Sequence, residues 1–344
     1  MTTHCFTSIS FSYLNRARVL GASLRRHHPD WKLWLCITDK EPPGFRFEAS
    51  REPFDILLYA SDLGIDEFEK WLFKHNVVEA CTAVKGIFLQ RMLDSGAEKV
   101  VYLDPDIAVF GSLQPIVDWL DNSSVLLTPH QLHPESETQA IVDNEICSLN
   151  HGIFNLGFVA VRNDGPGRQF TAWWRDRCMQ YCFDQKENGI FVDQKWCDLA
   201  PALFDGVRII RDPGYNVASW NLSHRIIAMG EDGYIVVNSK YPLRFYHFTK
   251  LGPIGDTMTR RYAGDNVEVY ELWTWYKHRI VENTDPAIPS GWWWYGRYAS
   301  NEAISDAHRR LYRDRLDLQS AFPTPFSNAG FLDWLNAHEA GKAI

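Results

Sequence analysis

What most constrains this chain is an alternation. Short apolar runs that end on charge take turns with longer stretches whose apolar residues recur at helical spacing. His4 to Ile9 reads as a strand, and Tyr13 to His27 as a helix that stops before Pro29. Lys32 to Thr38, K-L-W-L-C-I-T, is a second strand ending on Asp39, and Phe54 to Tyr59 a third. Between Glu67 and Leu93 the apolar positions Phe68, Leu72, Val77, Val78, Cys81, Val84, Phe88 and Met92 keep helical spacing, which predicts two helices. Val100 to Leu103 is again a strand, followed by a short one at Ala108 to Phe110 and a helix from Leu113 to Leu120. This order predicts an α/β fold with a mostly parallel, Rossmann-like central sheet covered by helices on both faces. Ligands of such sheets sit beyond the carboxyl ends of the strands, where Asp39 and Asp104 lie.

Further along, a polar loop near Pro134 to Thr138 leads into the compact strand F-N-L-G-F-V-A-V-R. A helix from Phe170 to Phe183, a helical segment F-V-D-Q-K-W-C-D-L-A-P-A-L-F, and strands at Val207 to Ile210 and Arg244 to Phe248 follow. After about residue 256 the character changes to aromatic and charged helical stretches, with the run W-W-W-Y at 292–295 and a charged helix over Asn301 to Leu318. We therefore expect an α/β catalytic domain over residues 1–255 and an aromatic-rich helical C-terminal extension over 256–344. The tryptophan run reads either as packing between the extension's helices, the preferred reading, or as an exposed belt for lipid or a partner.

A formal net charge of −8 argues against a nucleic-acid binder, because phosphate contacts need clustered Lys and Arg. An anionic ligand then needs a local charge solution. The seven cysteines are scattered without C-x-x-C spacing and read as free thiols of a protein expected in the cytoplasm, free or at the inner face of the membrane; no window is apolar enough for a span.

The run V-V-Y-L-D-P-D-I-A-V-F, residues 100–110, carries a buried strand straight into two aspartates. Asp104 and Asp106, at i and i+2 on a turn, converge on one small volume and suit a hard divalent cation able to neutralise a diphosphate. The same D-x-D spacing also fits a haloacid-dehalogenase-like phosphatase with Asp104 as nucleophile. That pattern prefers Thr or Val where Ala108 stands, and its later acidic pair is not found.

L-D-P-D-I-A-V-F-G-S-L is similar to the D-x-D segment of the GT-A glycosyltransferases, in particular the retaining enzymes of glycosyltransferase family 8. F-T-S-I-S-F-S-Y-L-N-R-A-R-V-L resembles that family's first strand and helix, and T-A-V-K-G-I-F-L-Q-R-M-L its helix with a basic residue. F-N-L-G-F-V-A-V resembles its N-x-G strand, F-V-D-Q-K-W its D-Q segment, and Y-H-F-T-K-L-G-P its histidine and lysine region. Two features depart from the pattern: Pro105 lies between the aspartates, and Lys250 follows His247 by only three residues.

The resemblance implies that Asp104, Asp106 and His247 hold Mn2+ or Mg2+, a carboxylate and imidazole set that suits manganese better than calcium. It implies further that Lys85 and Lys250 face the donor phosphates, with Asp104 also reaching the ribose. Thr7, Ser8, Tyr13 and Asp39 would bind the nucleoside, while Asn155, Asp193 and Gln194 line the sugar pocket, Gln194 beneath the anomeric carbon. Each has a structural alternative: a solvated helix face for Lys85, a cap for Asn155, a helix start for Asp193 and Gln194, a hydrogen-bonded core histidine for His247. The turn-rich run D-P-G-Y-N-V-A-S-W-N-L, with Tyr215, Asn216, Trp220 and Asn221, suits sugar faces or a buried connection. The function so expected is metal-dependent, retaining hexosyl transfer from a nucleotide-diphosphate sugar, most simply a UDP-sugar, to a glycan or glycolipid acceptor in polysaccharide biosynthesis. A peripheral membrane contact or a second transferase is a possible partner of the extension. The rival readings are the phosphatase and a non-catalytic glycan-binding protein.

Overall fold

The structure is a computed structural model and describes residues 2–340. Strand β1 (Thr3–Ile9) is buried along its whole length, as a strand covered on both faces must be. It pairs in parallel with β2 (Lys32–Ile37) on one side and with β4 (Lys99–Leu103) on the other, and β3 (Ile56–Tyr59) extends the parallel set. Beyond β4 lies β7 (Phe154–Arg162), antiparallel to both β4 and β6 (Val125–Pro129), and Val207–Ile209 closes the edge of a seven-stranded sheet. The fold is the expected one, α/β with a mostly parallel sheet.

Alternate residues of β4 enter opposite cores, as the two-residue period requires. Val100 and Tyr102 pack with Phe6, Phe88, Met92 and Trp174, whereas Val101 and Leu103 pack with Leu20, Leu24, Ile116 and Phe158. The second layer includes α1 (Leu14–His27), whose last turn holds Arg25, Arg26 and His27 where the helix dipole favours cations. On the first layer, the stretch expected as two helices is divided into three: α2 (Phe68–Phe73), α3 (Val77–Ala83) and α4 (Lys85–Asp94). Asn76 starts α3 by accepting from the Val78 and Glu79 N–H groups while Glu79 returns the bond to the Asn76 N–H. The helix Gly165–Tyr181 starts before the expected Phe170 because Asp164 caps it through the Gly167 N–H.

Two elements escape the sequence reading. β6, V-L-L-T-P, is too short a run to separate from other buried segments, and residues 138–151 are helical although the polar region begins as a loop. The expected strand near residue 245 forms, but outside the main sheet. Phe245–His247 pairs antiparallel with β5 (Ile107–Val109), placing His247 opposite Ile107.

The C-terminal extension packs on the α/β core at several places along its length. Helix Val267–Glu282 buries Val269, Trp273 and Tyr276 against Val19, Ala108 and Phe248. Residues beyond 297 gather Tyr298, Tyr312 and Phe331 around Phe73 of α2. The tryptophan run divides between the two readings offered for it. Tyr295 is buried, Trp294 is 46% exposed, and the indoles of Trp292 and Trp293 donate to the carbonyls of Lys40 and Thr38. All seven cysteines are free thiols, and among the described residues no helix is long and apolar enough to cross a membrane.

Candidate active site

At the end of β4 the Asp104 N–H donates to the Gly157 carbonyl (2.8 Å) of β7, and the Ile107 N–H closes the turn on the Asp104 carbonyl (3.0 Å). Pro105 fits here because the turn asks no donor of it. Asp106 is pinned on its other side, its carbonyl accepting from the Phe248 N–H (2.8 Å). The antiparallel pairing of β5 with Phe245–His247 therefore sets His247 against both aspartates, Nε2 lying 3.0 Å from Asp106 and 3.7 Å from Asp104. One ligand atom from each of these residues lies within 4.8 Å of the other two.

The tautomer of His247 is fixed from behind. Its Nδ1 faces the Asn155 side-chain oxygen at 3.2 Å, an acceptor, so Nδ1 carries hydrogen and Nε2 is directed at the carboxylates. That arrangement of an outer acceptor, an imidazole and two carboxylates fits a divalent cation. Burial opposes charge on both members of the pair, yet each favours the charged form of the other, so that Asp106 lies below its ordinary value and His247 above. Gly157 is required beside the ring, since a β-carbon there would lie 2.5 Å from His247 Cε1. This gives the N-L-G spacing of residues 155–157 a physical reason: Asn155 holds the imidazole and Gly157 makes room for it.

Lys85, the first residue of α4, is fully packed rather than solvated. Its ammonium lies 3.2 Å from Asp104 and 3.0 Å from Asp193, donates to the Leu156 carbonyl (3.1 Å), and sits 4.3 Å from the centroid of the Tyr102 ring. Burial alone would depress it, but the two carboxylates raise it above the ordinary lysine value, so it stays charged. Burial pushes Asp193 up to about 6 against the pull of Lys85. The Tyr102 hydroxyl donates to the same Asp104 oxygen at 2.5 Å.

Gln194 joins the two halves. Its amide oxygen accepts from the Leu156 N–H (3.1 Å) and the Asn155 amide (3.3 Å), and its own amide donates to the His151 carbonyl (3.0 Å). Thus Lys85, Asp104, Asp106, Asn155, Asp193, Gln194 and His247, taken from five separate stretches of sequence, form one connected polar group.

The other expected residues are placed differently. Thr7 is fully buried in β1, and the Ser8 hydroxyl donates to the Cys81 carbonyl (2.8 Å). Asp39 accepts from the N–H groups of Phe11, Lys40 and Trp294, and its burial pushes it up to about 7. Tyr13 is 40% exposed in the loop before α1. Lys250 is exposed in a turn with φ +53°, and its charge is felt at Cys147 and His151. Tyr215 is a core residue packed on Phe245 and Trp119, whereas Trp220 lies edge-on to His247 with centroids 5.4 Å apart. Asn216 donates to Asn155 (3.1 Å) and Thr128 (3.2 Å). Sequence reasoning missed Tyr102 and His130. Tyr102 is visible as the residue two before Asp104 on the same strand face. His130, held neutral by burial at about 4 and facing Asn155 at 3.3 Å, follows a strand that was not recognised.

The sequence model described as "Glycosyl transferase family 8" matches residues 4–188. Two Bacillus subtilis (strain 168) proteins are related. "Uncharacterized protein YfnF" is 33% identical over 252 residues, 72% of this chain and 82% of its own length. "Uncharacterized protein YfnD" is 25% identical over 255 residues, 72% and 78%. Among solved structures, a galactosyltransferase, LgtC, in complex with donor and acceptor sugar analogues is similar with a TM-score of 0.48 at 15% identity, covering 85% of this chain and 99% of that one.

Proposed function

The chain belongs to glycosyltransferase family 8, and from that premise we propose that it transfers a hexose from a UDP-sugar to a glycan or glycolipid acceptor, with a divalent cation and with retention at the anomeric carbon. The observation that carries the metal part of this reading is the triangle of Asp104, Asp106 and His247, with Nδ1 of the histidine already committed to Asn155. Manganese fits the donor set of two carboxylates and one imidazole, with magnesium the alternative. When bound there, the cation would stabilise charge on the departing diphosphate as a Lewis acid.

The chain's own residues prepare that site. Lys85 and the Tyr102 hydroxyl hold one oxygen of Asp104, leaving the other on the side of His247. Lys85 also offsets part of the negative charge that three neighbouring carboxylates present to an anionic donor. Asn155 and Gln194, hydrogen-bonded to each other, and Asp193, held by Lys85, form the sugar side and offer oxygens and amides for hydroxyls. Gln194 suits the position beneath the anomeric carbon, where retention needs a polar group without strong basicity. Family membership sets the phosphatase aside, and the geometry agrees, since Asp104 is engaged by two donors rather than free for attack.

Isothermal titration of UDP, with and without Mn2+, on the wild type and on Asp106→Ala tests the proposal. We expect binding that requires both the cation and Asp106. Failure of the wild type to bind UDP would remove the donor assignment, and binding indifferent to Mn2+ would remove the metal.

A further inference from the structure

The strand Phe245–His247 has two edges, and β5 covers only one of them. Residues 214–217 take the other. The Arg244 N–H donates to the Gly214 carbonyl (2.8 Å), the Val217 N–H to the Phe245 carbonyl (3.2 Å), and the His247 N–H to the Val217 carbonyl (2.7 Å), with Val217 and Tyr246 bridged in parallel. The backbone of His247 is thereby held from both sides. One residue of this segment departs from extended geometry: Asn216 lies in the left-handed region, at φ +53°. Asparagine is among the few residues besides glycine that adopt this conformation readily, and here the Asn221 amide holds its carbonyl (3.0 Å).

The Asn216 side chain is fully buried, so it cannot touch a sugar, as one reading of its segment would have it. Its amide donates instead to Asn155 Oδ1 (3.1 Å) and to the Thr128 hydroxyl of β6 (3.2 Å). The same Asn155 oxygen faces Nδ1 of His247 and accepts from the Gly157 N–H (both 3.2 Å). A backbone N–H can only donate, so the oxygen of Asn155 must lie on this side, and Asn216 must then present its NH2 to it. That orientation has a cost, since the Asn216 side-chain oxygen is left buried and among the described residues no group donates to it. A buried amide that gives up one of its bonds in order to keep another marks the kept bond as the one the site needs.

We propose that Asn216 is a positioning residue of the metal site. Through Asn155 it holds the His247 ring, and through the adjoining Val217 carbonyl the His247 backbone, so that Nε2 stays turned toward Asp104 and Asp106. The inference rests on the metal reading and adds to it a residue outside the stretch 4–188 that matches the family model.

The test is titration of the full chain with Mn2+, with and without UDP, read by electron paramagnetic resonance of the free ion, on the wild type, Asn216→Gly and Asn216→Asp. Glycine keeps the left-handed backbone and deletes the carboxamide, whereas aspartate keeps the size of the side chain and sets an oxygen against that of Asn155. Both are expected to bind Mn2+ about 10-fold more weakly or worse, as loss of a group behind a metal ligand does. Circular dichroism checks that each variant is folded at the titration temperature, and Asn216→Asp decides the matter should Asn216→Gly not fold. A second readout needs no metal: in spectra of protein labelled with 15N-histidine, with His247→Gln to identify the signal, the Nδ1 hydrogen of His247 is expected to exchange slowly in the wild type and fast in the variants. A merely structural asparagine would lower the unfolding temperature and move neither readout. Wild-type Mn2+ affinity in either folded variant would overturn this inference and leave the metal reading intact. A wild type that binds no Mn2+ in either condition would overturn the metal reading and this inference with it.

Discussion

A β-carbon on Gly157 would lie 2.5 Å from His247 Cε1 and 2.8 Å from Nδ1, closer than side chains approach one another. The ring cannot simply yield, since it is 4% exposed and bounded by Trp220, Asn155 and Asp106. Gly157→Ala is therefore expected to displace the imidazole, costing about 1–3 kcal/mol of stability as overpacking does. It should also weaken Mn2+-dependent UDP binding. Urea unfolding and calorimetry read the two effects separately. Unchanged stability together with unchanged binding would show that the ring has room after all.

Between elements, the position of Lys85 depends on how closely α4 approaches the helix Gly165–Tyr181. Gly86 is what permits that approach, because a β-carbon there would meet the Arg175 backbone at 2.6 Å from Cα and 2.8 Å from N. Two effects compete in Gly86→Ala. Helix propensity gains at most about 1 kcal/mol, whereas a clash against backbone costs about 1–3 kcal/mol because neither helix can rotate the contact away. We expect the clash to win, lowering the urea midpoint and moving the Lys85 ammonium from the carboxylates of Asp104 and Asp193. A raised midpoint would show that the helices slide apart without cost. The same scale explains what the sequence left hidden. A run such as V-L-L-T-P is short and apolar throughout, so its pattern carries no period to identify it as β6. His130, which follows it, was lost with it. Asp104, by contrast, was legible because its strand, no longer than β6, ends on D-P-D, a local pattern.

For the molecule as a whole, Arg309 ties the extension to the α/β core. Its guanidinium donates to the carbonyls of Phe73 (3.1 Å), His75 (2.7 Å) and Tyr295 (2.6 Å), and lies 4.7 Å from the centroid of the Trp293 ring. Burial lowers it to about 10, which leaves it charged at neutral pH. Arg309→Ala would strand three buried acceptors, each worth roughly 1–3 kcal/mol when left unpaired. We expect a loss of about 3 kcal/mol or more and faster tryptic cleavage beyond residue 290. Cleavage at the wild-type rate would show that the apolar contacts around Phe73 suffice to hold the extension. Its tryptophans thus belong to the packing between extension and core as much as to the extension itself.

The amino-acid sequence by itself determined the α/β class, the acidic turn and the polar residue types of the site, because these follow from local periodicity and from motifs only a few residues long. Only the tertiary structure decided that Phe245–His247 leaves the main sheet to pair with β5, so that His247 meets Asp106. It also decided that Lys85 is enclosed between Asp104 and Asp193, and that residues 284–294 reach the start of α1 and the end of β2. Each of these joins residues far apart in the chain, and which distant strands pair is set by the packing of whole layers, a property that no short stretch of sequence carries.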